Sequence, residues 1–162
     1  MMNLKLLVQL LIKHKLHIAF AESCTGGLLA SQVTSIPGSS EIFDLGVVTY
    51  ANYMKISILN VSSDTLKIHG AVSEQTAREM VTGLKNISQA DICISVTGVA
   101  GPSGGTIEKP VGTVFIGYLL LGKMKIEKKH FYGSRNKIRL QTAEHILNTI
   151  RTFLEERTCE GL

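Results

Sequence analysis

Leu4, Leu7, Val8 and Leu11 recur every three or four residues near the start of the chain. That spacing aligns side chains on one face of a helix, so residues 3–15 are predicted to be helical, with Leu6 and Leu10 widening the apolar face. Leu16 to Glu22 then reads as a buried strand. Ser23-Cys24-Thr25-Gly26-Gly27 follows as a tight polar turn, and Leu28 to Val33 as a helix ended by Pro37-Gly38. Phe43 to Tyr50 is predicted as a second strand, and Asn52 to His69 as short helical pieces ending at Gly70. Ser73 is placed to cap a helix that turns Ala77, Met80, Val81, Leu84 and Ile87 inward.

Asp91 to Thr97 reads as a third strand. Residues 98–112 hold five of the 15 glycines and two of the three prolines, which predicts a structured loop. Val111 to Leu121 and Met124 to Tyr132 are expected to pair as a hairpin across Gly122-Lys123. Asn136 to Glu156 closes the chain as a helix with Ala143, Ile146, Leu147, Ile150, Phe153 and Leu154 inward. Helices alternating with strands, plus one hairpin, predict an α/β fold: a single-domain, three-layer α/β/α sandwich on a mixed sheet. The domain is expected to fill residues 1–162, with a core from about 4 to 155.

Composition narrows the class. The chain has 162 residues, 44% hydrophobic and 19% charged, which excludes a disordered or collagen-like polymer. A chain of this length buries roughly 70% of its unfolded surface and needs no covalent staple. Cys24, Cys93 and Cys159 are odd in number and far apart, so a disulfide framework is not expected and a reducing, cytoplasmic setting is. The most apolar run, 111–121, is far shorter than the ~20 residues of a membrane span. Ala19-Phe20-Ala21 has the form of a leader-cleavage site, but Lys13, His14, Lys15 and His17 precede it where a leader stays uncharged, so no secretion is expected.

Residues 1–122 carry 8 Lys+Arg against 8 Asp+Glu, and residues 123–162 carry 9 against 5. The net charge of +4 therefore sits in the last quarter, where it can be a solvated basic edge or can steer an anionic partner.

In an open α/β sheet, ligands bind beyond the carboxyl ends of the strands, so the chemistry is sought at 23–27, 50–55 and 97–106. Ser23 and Thr25 stand ahead of two glycines and a helix start, whose amides can hold an anion or a developing oxyanion; either hydroxyl can instead be a simple cap. Cys24 is a rival nucleophile. Lys55 acts as a base only if desolvation or a cationic neighbour lowers its pKa. The loop from Thr97 to Thr106 suits a phosphate or ribose, but it lacks a Gly-Lys-Ser/Thr ending and leads to a strand, against nucleoside triphosphate hydrolysis. His69 at a helix end has a structural reading. The chain lacks His-Glu-x-x-His and any carboxylate cluster of metal-ligand spacing, so no metal is expected.

Five segments resemble one family in order: Ala21-Glu22-Ser23-Cys24-Thr25-Gly26-Gly27, Ser35 to Ser40, Gly46-Val47-Val48-Thr49-Tyr50, His69-Gly70-Ala71-Val72-Ser73, and Ser95 to Gly98 continuing through Lys109-Pro110-Val111-Gly112-Thr113. The sequence is similar to the CinA C-terminal domain, the nicotinamide mononucleotide deamidases, in what looks like the form without the molybdopterin-binding-like domain of longer members. The resemblance implies hydrolysis of the carboxamide of nicotinamide mononucleotide, without metal or cofactor, in pyridine nucleotide recycling. It implies Ser23 as nucleophile, Lys55 as base and Tyr50 beside them, with Thr25, Gly26, Gly27, Thr97, Gly98, Gly101 and Arg135 contacting substrate, Arg135 at the phosphate. A homodimer is the expected assembly, with no membrane partner. Ser134 and Ser103 depart from the family pattern. A silent nucleotide-binding module and nucleic-acid association through the basic quarter are the alternatives; the latter lacks an aromatic platform or a recognition-helix motif.

Overall fold

The computed structural model describes residues 2–160, and side chains from Leu4 to Thr158. Cys159 thus lies outside the described side chains. The elements are α1 (Met2–His14), β1 (Ile18–Glu22), α2 (Leu28–Thr34), β2 (Phe43–Val48), α3 (Asn52–Leu59), α4 (Ser63–His69), α5 (Glu74–Ser88), β3 (Ile92–Gly98), β4 (Thr113–Leu120), β5 (Lys123–His130) and α6 (Arg135–Glu160), with a short 3-10 turn at Ser39–Glu41. The strands form one sheet in the order β2-β1-β3-β4-β5. β1 runs parallel to β2 and β3, and β4 is antiparallel to β3 and β5. The mixed-sheet sandwich is the fold that the hydrophobic pattern predicts.

Two apolar layers follow from the period-two alternation of the central strands. Ile18, Phe20, Ile92, Ile94 and Val96 face α1, α2 and α6, where Leu7, Leu11, Leu29, Ile146 and Ile150 complete the larger core. Ala19, Ala21 and Cys93 face the other way, against Leu59, Met80, Val81 and Leu84 of α3 and α5. Small residues on that second face let α5 come close: Ser95 Oγ donates to Ala77 O of α5 at 2.6 Å. α5 in turn touches α3, and a Cβ on Gly83 would overlap the Leu59 carbonyl that ends α3.

The boundaries differ from the pattern where tertiary contacts intervene. β2 stops at Val48, because Thr49 N–H makes the last bond to β1, at Glu22 O, and the chain then turns into α3. The hairpin closes across Leu121-Gly122, one residue earlier than expected. Both carry positive φ, +49° and +83°, the conformation of a type I′ turn. Leu121 accepts this unusual φ while its N–H bonds Asp91 O and its side chain packs on the larger core. Ile87, expected inward, lies in the last turn of α5 and is 47% exposed. Ser73 caps α5 as predicted, its Oγ accepting from Thr76 N–H.

β1 feeds β2 on one side, while β3 lies on its other side, so the chain diverges at the carboxyl ends of β1 and β3. That divergence opens a crevice above the sheet. The α3–α5 contact sets one of its walls. Gly83→Ala should therefore destabilise the protein by about 1–3 kcal/mol despite alanine's better helix propensity. Denaturant unfolding that finds the variant as stable as its parent would refute this close approach.

Candidate active site

Ser23 begins the turn after β1. Its N–H donates to Val96 O at 3.0 Å, and its carbonyl accepts from Gly26 N–H at 3.1 Å. Gly26 and Gly27 take φ of +60° and +89°, which residues with a Cβ adopt at a cost. The next helix is not capped by Ser23 or Thr25. Glu22, 1% exposed, reaches forward from the strand: its Oε2 accepts from Gly27 and Leu29 N–H at 2.9 and 3.2 Å, and its Oε1 from Ala30 N–H at 3.0 Å. This leaves the Ser23 hydroxyl free of a capping duty. It also corrects an expectation, since the helix-start amides assigned to an oxyanion are occupied by Glu22. The N–H groups of Cys24 and Thr25 make no hydrogen bond among the described residues.

Lys55 comes from the first turn of α3 and is 1% exposed. Its Nζ lies 3.2 Å from Ser23 Oγ, 2.7 Å from Thr49 O and 3.3 Å from Tyr50 O. Burial lowers the Lys55 pKa from the ordinary ammonium range, because the charged form loses water that the cavity does not replace. A neutral amine has two N–H bonds and one lone pair. Two carbonyls match the two donors, so the lone pair is left for the Ser23 hydroxyl proton. Protonated, the amine donates to all three oxygens. The same contacts serve both states, as proton transfer to and from Lys55 requires.

Ser23 and Lys55 open into a cavity of about 280 Å³. Tyr50, Thr97, Gly98, Gly101 and Arg135, all singled out in the sequence, also line it, as do Cys24, Ala71, Val72, Val99, Ala100, Ser103 and Gly104. Thr97 Oγ1 donates to Ala71 O at 2.7 Å and so ties that wall to the end of β3. Arg135 opens α6; its Nη1 donates to Gly101 O and its Nη2 to the Tyr50 hydroxyl, both at 2.8 Å. Tyr50 reaches Lys55 only through its backbone carbonyl. Lys55 and Arg135 lie in a lining that contains no carboxylate, so the cavity is electropositive.

Thr25, Gly26 and Gly27 do not line the cavity. The Thr25 side chain is buried and its Oγ1 unpaired, while Gly26 packs beside Arg139. Their part is to shape the turn. Sequence reasoning missed Glu22 as the cap and Arg139, whose Nη2 and Nε donate to Thr25 O at 2.7 and 3.2 Å. Glu22 lay within the resembling segment but carried no spacing that marks a cap. Arg139 is 114 residues from its partner, with no local signal.

His14 and His17 stand three apart yet bond Thr158 and Asp44 respectively. Among the described residues, no group of three or more His, Cys, Asp or Glu is placed to hold a metal ion. Among the described residues, no helix is long and apolar enough to cross a membrane.

This chain matches the family model of the CinA C-terminal domain over residues 3–154. The chain belongs to the CinA C-terminal domain family. It is 50% identical over 153 residues to a CinA-like protein of Thermotoga maritima, covering 94% of the chain but 37% of that relative. The chain thus spans little more than a third of the length of that relative. Among solved structures, a CinA superfamily protein of Klebsiella pneumoniae superposes with a TM-score of 0.91 at 32% identity, over 96% of this chain and 97% of that one. The competence/damage inducible protein CihA of Agrobacterium tumefaciens gives 0.79 at 40% identity, over 97% and 94%.

Cys24 lies beside Ser23 in this CinA domain, but burial pushes its thiol up to about 12. At pH 7.5 the thiolate fraction is on the order of 10⁻⁴ or less. Iodoacetamide should leave Cys24 of the native protein unmodified at that pH, and Cys24→Ala should retain activity within a few-fold. Rapid alkylation seen by mass spectrometry, with parallel loss of activity, would move the nucleophile to the thiol.

Proposed function

We propose that this domain hydrolyses the carboxamide of nicotinamide mononucleotide to nicotinate mononucleotide and ammonia. The observation that carries the reading is the buried Lys55 Nζ at 3.2 Å from Ser23 Oγ, inside an electropositive cavity. Ser23 Oγ attacks the carboxamide carbon while Lys55 takes its proton. The N–H group of Cys24, which lines the cavity, faces the oxyanion that forms. Collapse breaks the carbon–nitrogen bond, and Lys55 returns the proton to the departing ammonia. Water then attacks the Ser23 ester, giving one proton to Lys55; the acid leaves and Ser23 regains its hydroxyl.

The size and charge of the cavity support a small anionic substrate. At about 280 Å³ it lies just under the ~300–1,000 Å³ usual for ligand sites, which suits a small substrate. Arg135, bonded to Gly101 O and Tyr50 at the rim, retains guanidinium N–H donors for a phosphate. Ser103 and the neighbouring glycines line the same cavity.

Ammonia release from nicotinamide mononucleotide tests the reading directly. Ser23→Ala should lose about 10⁴-fold or more in kcat without unfolding. Lys55→Arg should be nearly as inactive, since arginine keeps the charge but does not give up a proton near neutral pH. Because the base must be unprotonated, kcat/KM should rise with pH through an apparent pKa below the usual lysine value, and fall as Lys55 is protonated. Activity in Ser23→Ala, or an arginine rescue, would defeat the dyad.

Arg135→Ala should lose about 2–3 kcal/mol in kcat/KM with the mononucleotide and little with the riboside, because the phosphate is the group it serves. Equal losses on both substrates would remove Arg135 from the phosphate.

A further inference from the structure

α6 carries two arginines one turn apart, and they do different work. Arg135 faces the cavity rim, whereas Arg139 turns to the strand-to-helix turn that bears Ser23. Resting on the serine reading above, we propose that Arg139 is a positioning residue for the reaction. Its fork on the Thr25 carbonyl holds the 23–27 turn so that Ser23 and the free N–H of Cys24 keep their places at the cavity.

The turn needs such a hold. Its beginning is fixed by Ser23 N–H on Val96 O, and its end by the Glu22 carboxyl on Gly27, Leu29 and Ala30. Between these anchors, the Thr25–Gly26 peptide is followed by two glycines at positive φ, where no Cβ restrains rotation. Thr25 does not help, since its hydroxyl makes no hydrogen bond. What restrains the peptide is Gly26 N–H on Ser23 O and, on the carbonyl side, Nη2 and Nε of Arg139. A flip of that peptide would break both sets and release the turn that carries Ser23 and the Cys24 N–H.

Arg139 is itself well placed to resist such motion. Asn136 Oδ1 accepts from its Nη1 at 3.4 Å, and Ile138 beside it is buried in the larger core. Its guanidinium charge is felt at the turn, where it acts to lower the Cys24 thiol against the dominant effect of burial. A developing oxyanion on the adjacent residue gains from the same field. Arg139 does not line the cavity, so it acts on the reaction through the turn and not by touching substrate.

Arg139→Gln and Arg139→Lys in the full chain test this. Two rates are measured: turnover of nicotinamide mononucleotide, and covalent labelling of Ser23 by a fluorophosphonate, which uses the nucleophile and oxyanion donors without the natural substrate. Arg139→Gln should lower kcat and the labelling rate by about 10²-fold, the scale of a lost oxyanion donor. KM should stay within about threefold, and the pH midpoint set by Lys55 should not move. Arg139→Lys, which can make one bond to the carbonyl, should recover about a tenth of wild-type activity and serves as the test if the glutamine variant does not fold. Wild-type rates in either folded variant, a loss confined to KM, or a shifted pH midpoint would each overturn the proposal. If the wild-type protein is labelled at Ser23 yet releases no ammonia from the mononucleotide, the substrate reading fails and the labelling arm still decides the role of Arg139. Absence of labelling in the wild type would overturn both.

Discussion

The Lys55 side chain is almost wholly withdrawn from bulk solvent, and its surroundings are arranged to tolerate that cost. Two backbone carbonyls at the end of β2, from Thr49 and Tyr50, turn inward to meet it, and Ser23 completes the set. The strand therefore ends at Val48, although the hydrophobic pattern continues to Tyr50. Burial lowers the pKa of a lysine in this position and so favours the neutral amine that a base requires. An exposed lysine, fully hydrated, would hold its proton far too firmly near neutral pH.

Placing that amine depends on packing well away from it. α3 carries Lys55, and α3 is held against α5 by the bare backbone of Gly83 at the Leu59 carbonyl. α5 in turn lies close to the sheet because Ala19, Ala21 and Cys93 keep that face shallow. A bulkier layer would lift α5, and α3 with it, off the strand that bears Ser23. The distance between Ser23 and Lys55 is thus an outcome of side-chain volume on one face of the sheet.

Glu22 decides how the first turn is used. By satisfying three amides at the start of α2, it removes the positive helix end as a direct anion site and keeps its own charge out of the cavity. Positive charge is then supplied from elsewhere: Arg135 from the start of α6, with Arg139 behind the turn. The basic last quarter of the chain contributes to the site through these two arginines, which gives its charge excess a local role. The remaining lysines of β5 guard the exposed edge of the sheet, where unpaired backbone groups would otherwise invite another strand.

The order and type of the elements were readable in the sequence because a helix and a half-buried strand repeat their apolar positions with different periods. The Ser73 cap and the loop of glycines at 98–112 were readable for the same reason: their signals are local. So were Ser23, Lys55, Thr97 and Arg135, which stand in recognisable segments at strand and helix ends. Which of them meet was not. The 3.2 Å between Ser23 and Lys55 joins residues 32 apart, and the bond from Arg139 to Thr25 spans 114. Burial settled the remaining roles. It raised the pKa of the Cys24 thiol, lowered that of the Lys55 amine, and sent Thr25 into the interior, away from the cavity. A residue's identity and neighbours along the chain set what chemistry it can perform. Whether it performs it depends on desolvation and on contacts between distant segments, which exist only once the sheet and helices have packed.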